Sequence, residues 1–208
     1  MRIITVSRQF GSGGRELGKR LSDRLGWDYY DREIIERLAD EQGMDAEYIR
    51  QVLSNHEWHN MNLTYGSSFS GVMFDPGCRT DLLIKQREIV EDIAAAGNDC
   101  IIVGRDADII LRDRKPFRLF VCAEMESRVA RCMKHEEKKA ESERLSEREI
   151  EKNIKRIDKN RSRVREMLTG KSWGDGSTFD MTVNASGKDI KALSNLVADF
   201  ALGWFEAG

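Results

Sequence analysis

Residues 3–18 constrain this chain more than any other stretch: Ile3-Ile4-Thr5-Val6-Ser7-Arg8-Gln9-Phe10-Gly11-Ser12-Gly13-Gly14-Arg15-Glu16-Leu17-Gly18. A β-branched run breaks into Gly-Ser-Gly-Gly and turns at once into a helical period, with Leu17, Leu21 and Leu25 on one face. The pattern predicts strand, glycine loop, helix. Glycines let the backbone approach a ligand closely, and a helix directly behind them aims free N–H groups and its positive dipole end at the loop. Phosphate is the favoured occupant. The full phosphate-loop pattern, G-x-x-x-x-G-K-[ST], is not met, because Gly14-Arg15-Glu16 stands where Gly-Lys-Ser/Thr is required and Gln9 takes the upstream glycine's place. The lysine that reaches the β- and γ-phosphates and the hydroxyl that holds Mg²⁺ are both missing. A turn that only lets the first helix pack on the first strand is the competing reading.

The 208 residues suffice for one large domain with a sizeable core. Lys+Arg 34 against Asp+Glu 36 gives a net charge of -2, so no global basic field points to nucleic acid or a membrane surface. Any anion site must be local. Cys78, Cys100, Cys122 and Cys132 show no metal-binding or C-x-x-C spacing and read as reduced structural thiols. With no leader ahead of the first strand and no run of roughly 18 apolar residues, a cytoplasmic protein is expected.

Further along, Trp27 to Asp31 has strand character, and Asp31 can cap a second helix through Ile34, Ile35 and Leu38. A short helix is expected from about residue 45 to 53. The strand and helix alternation points to a parallel sheet. Residues 54–77 carry little periodicity and form a candidate substrate-facing insert. His56 and His59 within it lack further ligands for a metal and read as loop polarity or substrate contacts. A helix resumes over 79–96, and Cys100 to Val103 is an apolar run of the kind buried on both faces of a parallel sheet. Gly104-Arg105-Asp106 follows it, in the crevice where open α/β sheets bind ligands. Residues 117–122 and 179–184 read as the remaining strands, and 188–205 as a closing helix.

Between the last two strands runs a highly charged helical stretch, residues 124–168, broken near 143–146, where Ser146-Glu147-Arg148-Glu149 resembles a capping box. Arg156 and Arg163, seven apart, share a helix face, and Arg161 lies near them. A cationic stripe on a hinged helix pair suits closure over a polyphosphate.

Taken together, residues 7–16, Tyr30-Asp31-Arg32-Glu33-Ile34-Ile35, Val103-Gly104-Arg105-Asp106-Ala107-Asp108 and Thr169-Gly170-Lys171-Ser172-Trp173-Gly174-Asp175 resemble the cytidylate kinase-like family of P-loop nucleoside monophosphate kinases, over nearly the whole chain. The resemblance implies a parallel sheet of about five strands flanked by helices. It implies a core (1–30, 98–123, 178–208), an acceptor-binding insert (about 31–97) and a helical lid (about 124–177). It places the donor phosphates on Gly11, Ser12, Gly13, Gly14, Arg15 and Glu16, and the acceptor on Asp31, Arg37, Arg79, Arg105 and Asp106. Residues 156–163 align without gaps on the family's lid motif, so Arg156 and Arg163 become phosphate-gripping lid residues, with Arg161 beside them. Aligned through Leu17, the kinase lysine falls on Gly14 and its threonine on Glu16; a one-residue shift puts Arg15 in the lysine's place, and Arg8 and Lys19 are further candidates for the lost cation.

The implied function is transfer of the γ-phosphoryl of ATP, with Mg²⁺ whose protein ligands are not evident, to a nucleoside monophosphate, CMP or dCMP foremost. Small-molecule nucleotides are the expected partners, with oligomeric state open. Two alternatives are a kinase with another small acceptor and a nucleotide-binding regulatory protein that has lost catalysis.

Overall fold

A computed structural model describes residues 1–46, 49, 53, 76–138, 140, 141 and 144–208, with the backbone alone for 76–79. The elements are β1 (Ile3–Arg8), α1 (Gly14–Leu25), β2 (Asp28–Tyr30), α2 (Glu33–Gln42), α3 (Pro76–Ala95), β3 (Cys100–Val103), α4 (Ala107–Ile110), β4 (Phe117–Cys122), α5 (Met125–Glu136), α6 (Glu147–Thr169), β5 (Met181–Asn184) and α7 (Ile190–Glu206). The five strands form one sheet in the order β2-β3-β1-β4-β5. Every pairing is parallel, with Ile4 opposite Ile101 on one side of β1 and Phe117 on the other. β1 therefore lies at the centre, and the loop behind it opens at the carboxyl edge of the sheet, between β3 and β4.

The apolar runs of the central strands still obey the period of two. Ile3, Cys100 and Ile102 pack on one face with Ile34, Ile35 and Leu38 of α2 and Leu82, Ile89 and Val90 of α3. Ile4, Val6, Ile101 and Val103 face the other side, against Leu17 and Leu21 of α1 and Val197, Ala198 and Ala201 of α7. Each fully buried leucine or isoleucine stabilises this arrangement by about 1.5–3 kcal/mol. A third cluster joins Val129 of α5 to Ile150 and Ile154 of α6, and Phe10 of the glycine loop packs against it. The charged helix pair thus has a small core of its own, into which the loop contributes one ring.

Several expectations change in detail. Asp31 does not cap α2: Arg32 holds the cap position without a side-chain hydrogen bond, because the Asp31 carboxylate is drawn to arginines instead. The last strand starts at Met181 rather than residue 179. The capping box is present in full, with Ser146 and Glu149 bonded reciprocally at the start of α6. Most of the helix expected over 45–53 lies outside the described residues, as do residues 54–75 with His56 and His59; Ile49 and Leu53 are buried. Cys100, Cys122 and Cys132 are free thiols, and the side chain of Cys78 is outside the described set. Among the described residues no helix is long and apolar enough to cross a membrane.

Candidate phosphoryl-transfer site

The loop from Gln9 to Gly13 is fixed from both ends. Gln9 donates its N–H to Val121 O at 2.9 Å, and its side-chain oxygen accepts from Ala123 N at 3.0 Å, tying the loop to the end of β4. Ser12, fully buried, donates its hydroxyl to Gln9 O at 2.9 Å. Gly13 caps α1 with φ +90°, a conformation that side chains rarely adopt, and no side chain caps the helix. The first-turn N–H groups of α1 are left for a ligand.

The helix pair α5–α6 sits directly on this loop. Asp158 of α6 accepts from Phe10 N at 2.8 Å, Arg128 of α5 donates to Phe10 O at 2.7 Å, and Arg128 and Asp158 are themselves paired. Arg161 of α6 donates to Arg8 O at 2.9 Å. Neither Arg128 nor Asp158 is marked by local sequence. They meet across 30 residues and reach a loop more than 100 residues away, which only the folded chain reveals.

Beside the loop, at the carboxyl ends of β1, β2 and β3, guanidinium groups outnumber carboxylates. Asp31, its side chain only 5% exposed, takes Arg15 Nε at 2.5 Å and Arg8 Nη2 at 3.6 Å. Gly104, Arg105 and Asp106 all have left-handed backbone, with φ +77°, +60° and +52°, and Gln86 of α3 donates to Arg105 O at 3.4 Å. Such conformations cost non-glycine residues of order 1–3 kcal/mol each and collect at functional sites. Burial, reinforced by the nearby charge of Arg8, lowers Arg105 to about 10 and Arg161 to about 9; burial also lowers Arg8. Asp106 is pushed up to about 6, by burial first and the neighbouring Asp108 second. Positive charge is being held out of water with too few counter-ions.

A cavity of about 1060 Å³ opens over the loop, between α1, the end of β2 and the helix pair. Of the residues singled out in the sequence it brings together Arg8, Gly11, Gly13, Gly14, Arg15, Glu16, Lys19, Asp31, Arg156 and Arg161. Arg105 and Asp106 lie behind Arg8, outside the lining. Arg163 is half-buried on α6, also outside the lining. Arg37 is not brought there. It pairs with Glu41 at 2.8 Å and Asp92 at 2.7 Å beside a separate cavity of about 300 Å³. The side chain of Arg79 is outside the described residues. Sequence reading missed Arg131 and Asn153, which line the cavity from α5 and α6; Arg131 lies 3.5 Å from Glu16.

The profile of the cytidylate kinase-like family matches residues 3–187. The chain belongs to the cytidylate kinase-like family. No curated protein matches its sequence. Among solved structures, this member of the family is similar to an uncharacterised protein from Eubacterium ventriosum ATCC 27560, at 20% identity and TM-score 0.69 over 97% of this chain and 98% of that one. It is also similar to shikimate kinase from Bacteroides thetaiotaomicron (10% identity, TM-score 0.56, covering 96% and 97%). A third is shikimate kinase from Acinetobacter baumannii, solved in complex with shikimate (9% identity, TM-score 0.55, covering 98% and 94%). These likenesses establish the fold, the P-loop nucleoside monophosphate kinase-like fold that the shikimate kinases share with this family member. Family and fold together support a phosphotransferase of the kinase type.

Proposed function

We propose that this chain transfers the γ-phosphoryl group of ATP to a small anionic acceptor, with CMP and dCMP the first nucleoside monophosphates to consider. The observation that carries the reading is the surplus of guanidinium charge around Asp31, at the carboxyl edge of the sheet and beside an uncapped helix start. An acceptor oxygen attacks the γ-phosphorus as the β–γ bridging oxygen departs with ADP, so the protein's work is alignment and charge neutralisation. Residues 11–16 cradle the donor phosphates. Asp31, on the cavity wall, serves the acceptor, with Arg37, Arg79, Arg105 and Asp106 assigned there by family resemblance alone. Residues 124–177 act as the lid and supply Arg156, Arg161 and Arg163.

Among the described residues no group of three or more His, Cys, Asp or Glu is placed to hold a metal ion. Mg²⁺ that arrives with a nucleotide needs only one or two carboxylates beside phosphate oxygens and water. Glu16, on the cavity wall at the first turn of α1, fits that need; the ion would offset charge on the phosphates.

The test is transfer from γ-labelled ATP with Mg²⁺ to a panel of CMP, dCMP, the other monophosphates and shikimate. Shikimate belongs there because a similar fold has been solved with it bound. Labelled CDP or dCDP is the expected product. Label on shikimate instead moves the acceptor assignment, and ATP binding without any transfer favours a nucleotide-binding protein that has lost catalysis.

A further inference from the structure

Resting on that reading, the structure assigns to Arg8 the cation that the phosphate-loop pattern carries at its lysine, and we propose that Arg8 contacts the transferred γ-phosphoryl group. With the pattern's lysine set on Gly14, its second glycine falls on Gly13, the residue that caps α1, and its first glycine falls on Arg8. The loop has a cation where the pattern has glycine and a glycine where the pattern has the cation.

These two positions are in contact. A Cβ built on Gly14 would lie 2.6 Å from Arg8 Cβ and 3.1 Å from Arg8 Cγ. The aliphatic stem of Arg8 therefore fills the space through which a side chain at residue 14 would leave the helix. At its far end the guanidinium rests on Gly104, where an added Cβ would overlap Nη1. Two positions without side chains, one on α1 and one at the end of β3, are needed for Arg8 to lie where it does. Asp31 holds its head at 3.6 Å, and Arg161 from the helix pair fixes its carbonyl at 2.9 Å.

The other two candidates are more exposed than Arg8, and each holds a shorter ion pair. Arg15 is half exposed and its Nε is bonded to Asp31 at 2.5 Å. Lys19 pairs with Asp23 at 2.9 Å, a turn further along α1. Arg8, its side chain 15% exposed, is the most buried of the three and lies in the cavity wall between the loop and β3. A guanidinium presents a planar fork of donors and keeps its charge when desolvated, which suits a phosphoryl group flanked by two sets of oxygens.

The experiment compares binding of AMP-PNP and ADP by titration calorimetry to the full chain and to Arg8→Gln, Arg8→Lys, Arg8→Gly and the double variant Arg8→Gly/Gly14→Lys, with thermal melts to check folding. Arg8→Gln and Arg8→Gly are expected to lose about tenfold or more in affinity for AMP-PNP relative to ADP. Arg8→Lys keeps the charge but loses the planar fork, and is expected to lose less affinity for AMP-PNP than Arg8→Gln does. The double variant rebuilds G-x-x-x-x-G-K and is expected to regain most of the loss. An unchanged preference for AMP-PNP in Arg8→Gln overturns the inference while leaving kinase function standing. Equal losses in Arg8→Lys and Arg8→Gln reduce Arg8 to packing and also overturn it. A parent chain that binds neither nucleotide defeats the proposed function and this inference together.

Discussion

Two clusters of arginine and aspartate lie at the carboxyl side of the sheet, one at the ends of β1 and β2 and one just past the end of β3, and they are built on opposite terms. Asp108 of α4 and Arg165 of α6 form a one-to-one pair with side chains 2% and 5% exposed. The Arg165 guanidinium also lies over the Phe179 ring at 5.2 Å. The pair is closed off: Asp108 Oδ1 and Arg165 Nε have no hydrogen-bond partner, and neither of the two cavities described above is lined by them. At the other cluster one carboxylate, Asp31, is shared by Arg8 and Arg15, and a large cavity opens onto all three. This one-to-one pair ties the C-terminal part of α6 to α4, just past the end of β3. A cluster with excess positive charge and an open mouth is shaped for a ligand of the opposite sign. Burial alone does not distinguish structure from site; the charge balance and the access do.

Breaking the closed pair has the largest expected effect. Arg165→Met leaves Asp108 buried without a partner, which costs about 3–5 kcal/mol, whereas Asp108→Leu/Arg165→Met removes both charges and is expected to recover most of that. Urea midpoints measure both. If the single and double variants lose equally, the pair contributes packing rather than charge compensation, and the contrast with Asp31 weakens.

At the open cluster the larger effect falls on turnover. Arg161→Ala removes a cavity-lining guanidinium that is already desolvated, and kcat is expected to fall about 100–1000-fold. Its bond to Arg8 O at 2.9 Å and its longer contact with Asp158 Oδ1 at 3.5 Å imply a stability loss of about 1–2 kcal/mol. Steady-state kinetics beside urea melts separate the two, and a variant that loses more stability than turnover would move Arg161 to the structural class.

Asp106 lies between the clusters and titrates accordingly. Its carboxyl is pushed from 3.8 up to about 6 in the folded chain. Well below pH 3.8 it is protonated both folded and unfolded. As pH rises the unfolded chain ionises first, so stability falls until the folded carboxyl ionises near pH 6, by at most about 3 kcal/mol. Asp99, Glu149, Asp175 and Asp180 are shifted downward and give slopes of the opposite sign. The readout is therefore the difference between the parent and Asp106→Asn from pH 4 to 6.5, in which the variant is expected to gain relative stability as pH rises. A flat difference would place Asp106 in a better solvated setting than its burial indicates.

What the sequence made legible was local. The glycine loop, the apolar strands and the capping box at Ser146 each announce themselves within a few residues, and the parallel five-stranded sheet follows from their alternation. What stayed hidden depends on long-range meetings. Asp31 has the spacing of a helix cap, yet Arg15 and Arg8 compete for its carboxylate and win. Arg8 looks like the end of a strand until Gly14 and Gly104 are seen to make room for it. Asp158 and Arg128, which bind the loop to α5 and α6, are unremarkable acids and bases in a highly charged stretch, where no period separates a bridge from a solvated face.

Arg37 gives the smallest test and the sharpest one for the comparison. Family resemblance puts it on the acceptor phosphate, whereas the fold places it in an exposed network with Glu41 and Asp92, beside a different cavity. Exposed pairs of this kind contribute about 0–1 kcal/mol, because water screens both charges and the long side chain loses freedom on pairing. Asp92→Asn is therefore expected to shift the urea midpoint by less than the equivalent of about 1 kcal/mol, and to leave the acceptor KM unchanged. If KM instead falls several-fold, the released Arg37 has reached the acceptor. The ion pairs with Glu41 and Asp92 would then be a resting position for a substrate-binding arginine, adding a third kind of cluster to the closed pair and the open one.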